Sequence, residues 1–463
     1  PVAVVCPGDR PFFDAGQGRG HPGMTARADP APITHRRVLN MAVPIVLANV
    51  TVPLLGAVDT AVVGQSGLAA PIGAVGLGAV IIASLYWILG FLRMGTTGLV
   101  AQAMGAGDEA EATAILLRAL MIAGGAGLLF IALQMPLFSA ALWLAPGTEQ
   151  VEALARNYLQ LRIWGAPATI ALYAVTGWLI ATERGVAVLL LQLWINCLNI
   201  GLDIWFVLGM GQGVEGVAIA TLFAEWSGLA LGLFFCRAAF GAVFAPAVLR
   251  LRDTAALTRM ALVNSDILIR SVLLQASFTS FMFLGAGWGD VTLAANQVLM
   301  QLLTIAAFFL DGFAFAAEAM VGQAVGAKSV ARLRRAAIVS SQWGVGAVIC
   351  LALVYAAFGP AIIELMTTAP PVQAEARRYL PWLVAAPVIG VASWMFDGIF
   401  IGATGTREMR QAMLISVVIY TAALLLLVPA WGNHGLWAAL MVLNLARGIT
   451  MALYWPRIVA RAR

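Results

Sequence analysis

The 463-residue chain is 61% hydrophobic and only 11% charged, with a formal net charge of +5. A soluble protein of this length needs far more charge to coat its surface, so the composition points to a polytopic α-helical membrane protein. Many runs reach the roughly 20 apolar residues that span a bilayer, and the alternating pattern of a membrane β-barrel is absent. The basic residues sit in short loops between apolar runs, where they orient helices; no nucleic-acid partner is implied.

Residues 1–35 are rich in Pro, Gly, Asp and Arg, and are expected to form a disordered cytoplasmic tail. Within it, Met24 looks like a natural start, and no signal-peptide core precedes the first span. Twelve spans follow. The first six, within an amino-terminal lobe of residues 36–245, are expected at Val38–Gly64, Gly76–Ala103, Ala114–Leu133, Tyr158–Ala181, Val186–Gly209 and Val214–Cys236. The second six, within a carboxy-terminal lobe of residues 246–463, are expected at Leu257–Gly285, Ala294–Val325, Ala336–Phe358, Tyr379–Gly402, Gln411–Ala430 and His434–Ile458. The fold class is thus an all-α polytopic membrane protein, with two pseudo-symmetric six-helix bundles.

Loops on one side carry Arg36, Arg37, Arg118, Arg184, Arg237, Arg250, Arg252, Arg259, Lys328, Arg332, Arg334, Arg335, Arg407 and Arg410. The opposite loops carry mainly Arg156, Arg377 and Arg378. The positive-inside rule then places both termini and the central connection in the cytoplasm.

The chain repeats itself. GLVAQAMGAGD at Gly98–Asp108 returns as AMVGQAVGAKS at Ala319–Ser329, pairing Gln102 with Gln323 and Gly105 with Gly326. The same shift carries Gly64 to Gly285, Tyr158 to Tyr379 and Gly177 to Gly398. Each copy holds an even number of spans, so both enter the membrane the same way round, and their interface is the expected substrate path.

Polar residues inside the spans nominate the site. Gln192, Asn196, Asn199 and Asp203 recur at helical spacing along one face of span five. Span one carries Asp59, beyond Pro44 and Pro53, which invite a kink. Span six carries Thr221. Two carboxylates in a poorly solvated pocket can hold a proton near neutral pH, or, with Asn199 and Thr221, supply oxygen ligands to Na+. The plainer alternative is a hydrogen-bonded cluster that only joins helices. In the second repeat Ala422 stands where Asp203 stands in the first. Its charges lie elsewhere: Asp266 and Arg270 one turn apart, which read as an ion pair, Asp311 and Glu318 on one face, and Asp397. Arg93, Glu225 and Arg447 read as paired or snorkelling groups. Cys6, Cys197, Cys236 and Cys350 are widely separated, and the last three are expected to serve only packing.

At this point the motifs are recognisable. VDTAVVG around Asp59, the NIGLD run ending at Asp203 and GVEGVAIAT ending at Thr221 resemble the multidrug and toxic compound extrusion (MATE) family. NSDILIRS and LDGFAFAAEAMVGQAVGA in the second half are similar to its DinF-like branch. The resemblance implies two six-helix lobes around a central cavity, exchanging an organic compound for protons or sodium. It further implies a cation site at Asp59, Asn199, Asp203 and Thr221, with protonation of Asp59 bending span one.

The leading expectation is a cation-coupled antiporter exporting amphipathic, often cationic compounds by alternating access, as a monomer in the lipid bilayer. Gln192, Asn196, Asp266, Arg270, Asp311, Glu318 and Asp397 are candidates for its substrate cavity. No cofactor beyond the coupling ion, H+ or Na+, is expected. The alternative is a flippase for lipids or lipid-linked precursors, which would want a cationic cavity. No HExxH or GxSxG motif supports an enzyme, and a titratable mid-membrane cluster suits coupling better than a passive channel.

Overall fold

A computed structural model describes residues 32–65, 69–144 and 148–463, and is helical without strands over them. The expected amino-terminal tail, with Met24 and Cys6, falls almost wholly outside the described residues. We number the long helices α1 His35–Gly64, α2 Ala70–Ala106, α3 Glu109–Ala132, α4 Glu149–Ala181, α5 Gly185–Gly209 and α6 Gly213–Phe235. The second six are α7 Thr254–Ala286, α8 Asp290–Gly326, α9 Val330–Met366, α10 Pro370–Gly402, α11 Thr406–Trp431 and α12 Asn433–Ala460. Among the described residues, 11 helices, α2 to α12, are long and apolar enough to cross a membrane. With 30 residues, α1 occupies the place of the first predicted span.

Local chemistry sets several boundaries. Short polar side chains cap helix starts by accepting orphan backbone N–H groups. Thr34 does so for α1, Asp108 for α3, Thr148 for α4, Asp253 for α7 and Ser329 for α9. Gly107, at φ +76°, ends α2 in the left-handed region that a side chain would resist. The central connection is clamped to the first bundle: Arg250 bonds both oxygens of Asp108, and Arg118 donates to the Arg250 carbonyl. Burial alone would lift the Asp108 carboxyl. Its hydrogen bonds to Arg250 and to the Glu111 N–H outweigh that and hold it below the ordinary carboxylate value. Cys236 is buried as expected, whereas Cys197 and Cys350 are exposed on their helices rather than packed inside.

The internal repeat is visible as paired contacts. A Cβ on Gly105 would lie 2.1 Å from the Gln323 carbonyl oxygen, and one on Gly326 would lie 1.9 Å from that of Gln102. Deeper in each bundle, a Cβ on Gly177 would meet the Arg93 oxygen at 2.6 Å, and one on Gly398 the Ala314 oxygen at 2.4 Å. Polar bonds follow the same symmetry. The Gln102 amide donates to the Gly402 carbonyl, and the Gln323 amide to that of Ala181. Helices α2 and α8 therefore cross backbone to backbone, which only glycine permits. This crossing seals the two bundles together at the end bearing the Arg-rich loops.

Gly326→Val and Gly105→Val should each force this crossing apart and destabilise the protein by about 1–3 kcal/mol, the usual range for overpacking. A lowered melting temperature in detergent, with increased thiol labelling of a cysteine introduced at Ala101, checks this.

Candidate functional site

In the first bundle, α5 lies along α1, and the two carry the acids together. Asn199 and Asp203 are fully buried and Thr221 is nearly so, while Asp59 is partly covered. The neighbours decide how the Asn199 amide sits. Its nitrogen faces Asp59 Oδ1 at 3.1 Å and Asp203 Oδ2 at 2.9 Å, and its oxygen takes the Thr221 hydroxyl at 2.9 Å. The reverse orientation would aim an amide oxygen at two carboxyls. The carboxyls of Asp59 and Asp203 are also within hydrogen-bonding reach of each other. Such a contact is attractive only when one of them carries a proton. Asp203 Oδ1 is buried without a hydrogen-bond partner. An orphaned acceptor of this kind costs about 1–3 kcal/mol unless a proton or cation satisfies it.

Immediately after Asp203 the helix widens: Ile204–Gly209 is a π-helical turn, with the Met210 N–H bonding the Trp205 carbonyl. Single π-turns inside α-helices recur at functional positions. Here the turn separates the acid from the helix end. Helix α1 is continuous from His35 to Gly64, through Pro44 and Pro53.

Beside the acid pair stands a group the sequence did not bring forward. Arg162 of α4 makes a bidentate pair with Glu225 of α6, at 2.7 and 2.9 Å, with both side chains buried. Glu225 was expected to have a partner, but Arg162 was not singled out. Gly165 opens the space, since a Cβ there would lie 2.2 Å from Glu225 Oε2. The pair is charge-neutral, so it places an ordered dipole near the acids without adding net charge.

The remaining candidates divide. Asn196 donates to the Thr51 carbonyl and hydroxyl of α1, and Gln192 donates to Asn196. Asn196 thus ties α5 to α1, while Gln192 bonds within α5. Asp266 does not pair with Arg270. Its partners are Arg410 at 2.5 Å and the Thr406 hydroxyl, both of α11, and it lines a separate opening at the Arg-rich end. One turn on a helix brings two side chains near each other, but here each finds better geometry on a neighbouring helix.

Arg270, Asp311, Glu318 and Asp397 do come together. They line a cavity of about 430 Å3 between the bundles, with Arg93 and the aromatic walls Trp87, Phe278, Phe315 and Trp394. Arg93 pairs with Glu318 at 3.1 Å and lies over the Phe315 ring at 4.0 Å. Arg270 and Arg447 share Asp397 Oδ2. The cavity is therefore less acidic than the sequence suggested, because Arg93 and Arg447 belong to its network. Asp311 is the one carboxylate lining it that has no ion-pair partner among the described residues.

The second bundle does not repeat the charge of the acid site. By the repeat shift Ser280 stands for Asp59, and its hydroxyl lies 3.2 Å from that of Tyr420. Tyr420 also donates to the Ser277 carbonyl.

Comparison with known proteins agrees with this architecture. The MatE family model matches residues 44–205 and again 267–427, once in each half. DNA damage-inducible protein F of Escherichia coli (strain K12) is 40% identical over 431 residues, covering 90% of this chain and 91% of the relative. A probable multidrug resistance protein NorM of Synechococcus is 27% identical, covering 87% and 89%. Among solved structures, the Vibrio cholerae MATE transporter VcmN in its bent form superposes with a TM-score of 0.81 at 20% identity, covering 92% of this chain and 97% of that one.

Arg162→Met alone should cost about 3–5 kcal/mol, because it strands the buried Glu225 charge. The double substitution Arg162→Met with Glu225→Met should cost less than the single one. Thermal melting of the purified variants checks this order.

Proposed function

The chain belongs to the MatE family of multidrug and toxic compound extrusion transporters, and from that premise we propose a proton-coupled exporter of amphipathic organic cations. Residues 36–245 and 246–463 act as the two moving lobes, with both termini in the cytoplasm of a bacterial inner membrane. Asp59 and Asp203 hold the coupling ion, with Asn199 and Thr221 fixing their geometry. The observation that carries the reading is the Asn199 amide nitrogen between two carboxyls that themselves touch. One shared proton stabilises that arrangement. A proton shared between carboxyls already within hydrogen-bonding reach needs no rearrangement of the pair, and on that ground we take the proton as the coupling ion.

Coupling then follows from differential binding. An ion shifts the equilibrium between outward- and inward-facing states only by as much as it binds one better than the other. In the state described, the Arg-rich ends of the lobes are held by the Gly105 and Gly326 crossing. Losing the proton leaves two adjacent buried anions, which favours a state in which water reaches them. The interlobe cavity takes the substrate: its aromatic walls receive an apolar body, and Asp311 receives a cationic group. The flippase reading asks for unpaired cations to hold a phosphate, and Arg93, Arg270 and Arg447 each already face a carboxylate.

In proteoliposomes, efflux should follow an imposed proton gradient and ignore an imposed sodium gradient; dependence on sodium alone would reassign the ion. Asp59→Asn and Asp203→Asn should each reduce coupled efflux to background while the protein still inserts and folds. Full efflux by both would refute the site. Asp311→Asn should weaken binding of cationic substrates about tenfold, or about 1.4 kcal/mol, and leave neutral ones little changed.

A further inference from the structure

The second bundle has an opening that the transport reading does not use. Between the Arg-rich ends of α7 and α11 lies a cavity of about 910 Å3, lined by Arg259, Arg407, Arg410 and Arg461 with the hydroxyl residues Thr254 and Thr258. Its charges are only partly balanced. Asp266 at its floor pairs with Arg410 at 2.5 Å, and Glu408 pairs with Arg461 at 2.9 Å. Arg259 donates to the neutral Gln102 amide oxygen at 2.6 Å. Arg407 is exposed and has no ion pair or hydrogen bond among the described residues. Two guanidinium charges are thus left over in one concave site.

What lies beyond the arginines identifies the ligand. On α7, Leu262 lines the same cavity and is 62% exposed, and Ile269, two turns further along that face, is 41% exposed. On α11, Leu414 and Val418 continue the face that starts with Arg407 and Arg410, and are 45% and 69% exposed. Charge at the helix ends gives way to an exposed apolar track along both helices. A soluble anion would match only the first part of this surface.

We propose that the α7–α11 opening binds an anionic phospholipid from the cytoplasmic leaflet. Arg259 and Arg407 hold the headgroup phosphate, assisted by the outer edge of Arg410, and an acyl chain lies along Leu262, Ile269, Leu414 and Val418. Arginine suits this role because its planar fork meets phosphate oxygens two at a time. The leaflet facing the Arg-rich loops is also the one in which anionic lipids attract basic residues near the membrane surface. The assignment uses the orientation given above, but neither the coupling ion nor the exported substrate.

Native mass spectrometry of the full chain in mild detergent, with phosphatidylglycerol or phosphatidylcholine added, tests it. The wild type should retain phosphatidylglycerol and lose phosphatidylcholine. Arg407→Gln, and more strongly Arg407→Gln with Arg259→Gln, should reduce retention, the pair by about tenfold. Leu262→Ser should reduce it as well, and Arg237→Gln on the first bundle should not. Arg407 has no partner to strand, so its variant is expected to fold like the wild type, and an unchanged melting temperature checks that. Equal retention of the two lipids, or undiminished retention in the double variant, would overturn the proposal. So would displacement of the lipid by an equal concentration of inorganic phosphate, which would mark a site for a free anion.

Discussion

The arrangement that everything else serves is a pair of carboxyls, Asp59 and Asp203, drawn together inside an apolar bundle and bridged by one amide, Asn199. Burying even one ionised carboxylate is costly, and burying two side by side is prohibitive without a compensating proton or cation. The surrounding structure accepts that cost in a defined way. Helix α5 presents Asn199 and Asp203 on one face, Thr221 orients the amide from α6, and the π-turn after Asp203 interrupts the regular helix where the load is greatest. In the second bundle Ser280 occupies the position of Asp59 and Ala422 that of Asp203, and Ser280 meets Tyr420 as two hydroxyls that need no ion. The asymmetry in charge, on a backbone that is otherwise repeated, is the reason to assign ion handling to the first bundle.

Charge elsewhere in the membrane is almost fully cancelled. Arg162 with Glu225, Arg93 with Glu318, and Arg270 and Arg447 with Asp397 are closed units. Such pairs contribute little net stability against apolar packing of equal volume. Their value is that they leave few uncancelled groups: the acid pair in one bundle and Asp311 in the cavity between bundles. A transporter needs its titratable and substrate-facing groups to dominate the local field, and neutralising their neighbours achieves that.

Much of this was legible in the chain. Eleven of the twelve expected spans are helices long and apolar enough to cross a membrane among the described residues, and the pairing of Gln102 with Gln323 and of Gly105 with Gly326 is the sequence trace of the internal symmetry. The four polar residues that meet in the first bundle stood out because an Asp in hydrocarbon demands an explanation. Partner choice was less accessible. Asp266 and Arg270 sit one turn apart, yet their partners, Arg410 and Asp397, come from α11 and α10. Gln192 and Asn196 share a face with Asp203, but that face passes from the acid site to a seam with α1. Local periodicity says which side of a helix a residue occupies and not which neighbouring helix covers it. Arg162 went unremarked for a related reason: it lies at the end of a polar helical turn, where its burial depends on Glu225 from 63 residues away.

The central claim is that Asp59 and Asp203 share one proton, which substrate binding or lobe movement expels. Proton release on adding a cationic substrate to unbuffered, detergent-solubilised protein measures this directly, with a pH-sensitive dye as the readout. The account predicts about one proton released per bound substrate in the wild type and none in Asp203→Asn, with binding itself retained. Undiminished release from the Asp203→Asn protein would contradict it.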